Sequence, residues 1–123
     1  MGRKALIPYG LYRGHGFFVP SLAKEPKGTG FSSEDLAAFW DALQNMWDLD
    51  RSASRGLMAC RGLYVFTHSG ALGSAPAHKL FDLLHVSKKG DVAAPRSFTD
   101  YEVHVDREAL DAFDGITLTE FAV

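Results

Sequence analysis

A chain of 123 residues with 46% hydrophobic and 23% charged residues has room for one domain and one core, and this is the composition of an ordinary water-soluble globular protein. No apolar run approaches the roughly 18 residues of a membrane helix, the opening MGRKALIPYG lacks the apolar stretch and cleavage site of a signal peptide, and the single Cys60 can neither close an internal disulfide nor complete a metal clip. A net charge of −2 excludes a uniformly basic nucleic-acid binder, and the cysteine usage points to a reduced, cytoplasmic protein with no membrane partner.

The charge is segregated along the chain. Residues 1–30 carry +4, 31–50 carry −5, 51–99 carry +5 and 100–123 carry −6. Such blocks allow a local basic face on an acidic protein. They equally allow basic and acidic blocks to face one another, within a subunit or between neighbours.

In chain order, Lys4 to Tyr12 reads as a strand rich in Leu, Ile and Tyr, and Pro8 makes it an edge or bulged strand because it has no amide to donate. Gly10, Gly14 and Gly16 follow around Arg13 and His15. They are not a dinucleotide fingerprint, since no helix opens after them, and their expected roles are to bend the strand or admit another backbone. His15, between two glycines, reads as exposed or ligand-facing, or as a turn cap. The polar stretch SLAKEPKGTG, with Lys24, is a loop. Ser32 and Asp35 form a capping-box pattern ahead of a helix. Leu36, Phe39, Trp40, Leu43, Met46 and Trp47 make one apolar face of that helix, and Trp40 and Leu43 are expected to face the sheet.

The helix leads into WDLDRSASRGLMACRGLYVFTH (residues 47–68), which carries Arg51, Arg55 and Arg61 and no acid after Asp50. Ser52, Ala53, Ser54 and Gly56 keep that backbone approachable, and arginines around it can fork onto phosphate or carboxylate oxygens. Arg51 and Arg55 could instead complement the C-terminal dipole of the helix. Gly62 to Thr67 is a buried strand by composition. Ser74 is the expected N-cap of a helix over Ala75 to Leu83, with Leu80, Phe81 and Leu84 buried and His78 at the edge. His85 to Ser87 starts a strand that turns at Lys88-Lys89-Gly90-Asp91 and returns through Val92 to Arg96. Tyr101, Val103 and Val105 alternate with polar residues as in a half-buried strand. A helical turn from Asp106 to Phe113 stops at Gly115, and Ile116 to Phe121 closes the chain as a last strand. This order predicts a single α+β domain, residues 1–123, with helices on one face of a mainly antiparallel, ferredoxin-like or RNA-recognition-like sheet.

Motifs of catalysis are missing. The sequence holds no H-E-x-x-H, G-x-S-x-G, P-loop or cysteine cluster, and Asp48 and Asp50 are spaced so that they do not share a helix face. The expectation is no enzymatic activity, no catalytic residue, no cofactor and no metal site. A small enzyme using His15 or His68 stands as a third possibility.

The segments YGLYRGHGFFVPSLA (9–23), DRSASRG (50–56), RGLYVFTH (61–68), APAHKLFD (75–82) and PRSFTDYEV (95–103), in this order, resemble the C-terminal half of the backbone subunit of the type I-C CRISPR surveillance complex (Cascade), in the repeat-associated mysterious protein superfamily. The resemblance implies a modified RNA-recognition fold and a non-enzymatic subunit of antiviral defence. It implies copies packed head to tail along a CRISPR guide RNA, beside other Cascade subunits, meeting target DNA through the guide. Members of that family are about twice as long, so the chain is expected to be half of the subunit. On this footing Arg13, His15, Lys24, Arg51, Arg55 and Arg61 are the expected RNA-binding residues. The competing expectation is a protein-interaction fragment that uses its segregated charge to pack against neighbours and has little RNA affinity of its own.

Overall fold

The computed structural model of the protein describes residues 9–23, 28–48, 57–70 and 73–121. The expected residues Lys24, Arg51 and Arg55, and the part of the first expected strand before Tyr9, lie outside the described residues. A helix α1 (Ser33–Asn45) is followed by strand β1 (Leu63–His68), helix α2 (Ala77–Phe81), strands β2 (Leu84–Lys88) and β3 (Tyr101–Val105), helix α3 (Arg107–Asp111) and strand β4 (Ile116–Phe121). From Leu63 onward this is the β-α-β-β-α-β order of a ferredoxin-like unit. The fold is therefore α+β, as the sequence predicts. Among the described residues no helix is long and apolar enough to cross a membrane.

The strands pair antiparallel in two separate sheets of two, β1 with β4 and β2 with β3. Register places Val65 opposite Thr119 and Phe66 opposite Leu118 in one pair, and His85 opposite His104 and Val86 opposite Val103 in the other. An open groove of about 490 Å³ is lined by Tyr64, Val103–Glu108 and Glu120. The backbone amide of Asp106 donates to the Leu83 carbonyl (2.8 Å), joining the start of α3 to the end of α2.

Local chemistry explains the element ends. The Ser32 hydroxyl accepts from the Asp35 amide (3.1 Å) and the Asp35 carboxylate accepts from the Ser32 amide (2.9 Å), completing the capping box. The Asp106 carboxylate caps α3 by accepting from the Ala109 amide (3.0 Å). Gly115 ends the α3 turn at φ 76°, where a side chain would be strained and its Cβ would collide with the Ser69 hydroxyl.

Four expectations are corrected. Tyr9 to Tyr12 is not a strand; residues 9–19 run without ladder pairing, because a proline and three glycines leave little to hold a ladder, and the segment attaches through side chains instead. α2 is shorter than expected and its N-cap is Pro76, with no side-chain cap. The Ser74 amide is spent on His68 Nδ1 (2.8 Å) instead. Residues 92–96 form no returning strand; β2 pairs with β3 beyond them, and Pro95 is consistent with that. Finally, the apolar face of α1 is not the core. No residue of α1 is buried, Phe39 is 48% exposed, and the buried hydrophobic side chains among the described residues are Leu80 (2% exposed) and Leu83 (6%).

Candidate nucleic-acid interface

The segment 9–19 forms neither helix nor strand, and it meets the domain through several side chains. Tyr9 packs on Tyr101 with ring centroids 6.0 Å apart. Arg13 forks onto two carbonyls, with Nη2 donating to Phe81 at the end of α2 (2.6 Å) and Nη1 donating to Leu84 at the start of β2 (2.7 Å). The Phe81 carbonyl, at a helix C-terminus, lacks an intrahelical donor and lies at the negative end of the dipole, so a guanidinium suits it. His15 stacks on Phe81, centroids 4.1 Å apart and planes within 4°. Phe17 meets the same ring edge-on at 5.7 Å. Phe81 thus gathers three arm residues at spacing i, i+2, i+4. Phe18 packs instead on Phe31, with centroids 5.4 Å apart; Tyr12 is 82% exposed, and a Cβ at Gly14 or Gly16 would touch nothing within 4 Å.

Arg61 lies just before β1 with its guanidinium over the Phe98 ring, 5.3 Å from the centroid. This is a cation–aromatic contact. Among the described residues no hydrogen bond or carboxylate ties Arg61. Arg13, by contrast, has two donors committed to the fold. Of the six sequence-predicted residues the structure therefore describes three. It brings Arg13 and His15 together on the end of α2 and seats Arg61 on Phe98, ahead of β3. Neither arginine pairs with an acid among the described residues; the ion pair there is Arg107 to Glu120 (2.6 Å). The Tyr64 hydroxyl in the adjoining groove has its pKa pushed up, first by burial and then by the Glu120 carboxylate, with Arg107 pulling the other way.

Sequence reasoning missed Phe81, whose ring meets His15 and whose carbonyl meets Arg13, and Phe98, whose ring seats Arg61. Nothing local marks Phe98 as the seat of Arg61, 37 residues away in sequence.

These features define an α+β protein of ferredoxin-like order with an arginine–aromatic surface. The chain belongs to the CRISPR-associated protein Cas7 family, whose model matches residues 1–106. A search of curated proteins finds no match to the chain.

Proposed function

We propose that the chain is a guide-RNA-binding backbone subunit of a type I-C CRISPR surveillance complex, corresponding to the C-terminal half of that subunit, and that it acts without catalysing a reaction. The observation that carries this reading is the family match over residues 1–106. Arg61 supports it, because a guanidinium held over an aromatic ring suits a backbone phosphate next to a stacked base. The non-enzymatic part is supported by how the histidines are used: His15 is stacked on Phe81 and the Nδ1 of His68 accepts from the Ser74 amide.

Phosphate contacts release counterions, so single-strand affinity falls with salt at a slope near −0.7 per contact. In the assembled complex, replacing Arg51 and Arg55 with Ala should flatten the slope of log affinity against log salt by about 1–1.5. Replacing Arg61 should flatten it by about 0.7 more. The loss should be the same for any guide sequence, because phosphate contacts carry no base information. Lines for the variants parallel to wild type, with equal affinity, would return Arg51 and Arg55 to helix-end capping.

A second reading, a subunit-packing module with little RNA affinity of its own, is favoured by the exposed apolar residues Tyr12, Phe17, Leu22 and Phe39. It predicts wild-type salt slopes near zero with assembly intact.

A further inference from the structure

His85 of β2 and His104 of β3 sit directly opposite one another in the antiparallel register. Both are exposed, and their rings lie 6.2 Å apart with planes 20° from parallel. Directly opposed side chains on a sheet face are the closest cross-strand neighbours, so neither ring can move far from the other. We propose that His85 and His104 form a two-imidazole site for a divalent transition-metal ion of the borderline class, such as Zn²⁺ or Ni²⁺.

Imidazole nitrogen suits these ions. A zinc–nitrogen bond is about 2.0–2.1 Å long, and two such bonds at a tetrahedral angle hold ring centroids about 5 Å apart. The observed 6.2 Å is wider by about 1 Å, a gap that side-chain rotation closes without moving the strands. The charge around the pair favours a cation. His104 lines the groove with Asp106, Glu108 and Glu120, and Arg107 is the single cation among them. Glu102 lies on β3 two residues before His104, on the same face, opposite Ser87. Among the described residues no third histidine, cysteine or carboxylate completes a cage. The remaining coordination positions fall to water, which makes the ion exchangeable and its role the bracing of β2 against β3. The neutral ring is the ligand, so acid releases the metal.

The test uses the untagged full chain, with ZnCl₂ and NiCl₂ as probes, in equilibrium dialysis and thermal melting. The expected result is one ion per chain and a melting point raised by several degrees, reversed by chelator. His85→Asn and His104→Asn each abolish both effects, and the double variant loses no more than either single one. Both side chains are exposed, so the metal-free variants should melt with wild type. Equal binding by wild type and the double variant would place the ion elsewhere, at Cys60 or another histidine, and overturn the assignment. Loss in only one of the two single variants, or no binding at millimolar metal, would overturn it as well.

Discussion

Arg13 shows how one side chain can serve the fold while appearing, in sequence, to be free for a ligand. Its two terminal nitrogens are spent on the Phe81 and Leu84 carbonyls, so it joins residues 68 and 71 positions apart through charge-assisted hydrogen bonds. Such bonds contribute roughly 1.5–3 kcal/mol in protected sites and less where water competes. Arg13→Ala should therefore cost about 1–3 kcal/mol in unfolding free energy, read as a lowered denaturant midpoint. Arg13→Lys should recover only part of it, since an ammonium cannot fork onto two carbonyls. If Arg13 served phosphate alone, the fold would keep its midpoint and RNA affinity would carry the whole loss. Arg61 differs: its contact is one ring face at 5.3 Å, so its replacement should spare the midpoint and show mainly in the salt slope.

At the scale of elements, the arm of residues 9–19 is held by Tyr9, Arg13, His15 and Phe17, while Gly14 and Gly16 make room for no described neighbour. Gly14 and Gly16 are outside the left-handed region, and an added Cβ at either meets no atom within 4 Å. Ala at such positions narrows the unfolded ensemble and should stabilise by about 0.4–1 kcal/mol each. If the glycines exist to let a guide or a neighbouring subunit come close, the double variant Gly14→Ala/Gly16→Ala should fold at least as well as wild type and assemble worse. Denaturant midpoint and assembly yield, measured on the same preparation, separate the two; unchanged assembly would mean the glycines serve only the bend of the arm. This arm also marks the boundary of what the sequence could show. The capping box at Ser32, the alternation of β3 and the stop at Gly115 are encoded within a few residues, and all are found. The burial of a face is not encoded locally. The stripe of Phe39, Trp40 and Leu43 is helical as expected, but whether it meets the sheet depends on partners far along the chain. Trp40 meets its helix neighbour Phe39, centroids 5.4 Å apart, and Phe121 at the end of β4, 6.3 Å between ring centroids. Likewise the pairing of His85 with His104 follows from register, which no spacing in the sequence states.

For the whole molecule the decisive quantity is surface. Among the described residues the buried hydrophobic side chains are Leu80 and Leu83, while Tyr12, Phe17, Leu22 and Leu57 are each about two-thirds exposed or more, and apolar side chains left in water favour association. The sheets add to this, since among the described residues each has two strands, whose outer edges can pair with another chain, and an isolated pair of strands is marginal in water. A chain with so small an interior gains stability by covering this surface with a partner, and a second copy is always present at the same concentration. The expected outcome is self-association: the weight-average mass in light scattering should rise steadily with concentration from the micromolar range upward. Leu22→Ser combined with Leu57→Ser removes two exposed apolar side chains, and because neither is buried it should lower the association without lowering the melting point of the dilute chain. Salt separates the two sources of attraction, since association by apolar surface persists in high salt while pairing of the segregated charge blocks weakens as the Debye length shrinks to about 3 Å at 1 M. A mass that stays at that of a single chain across a wide concentration range, with the wild-type residues in place, would show that the exposed surface is satisfied within the chain and would overturn the expectation.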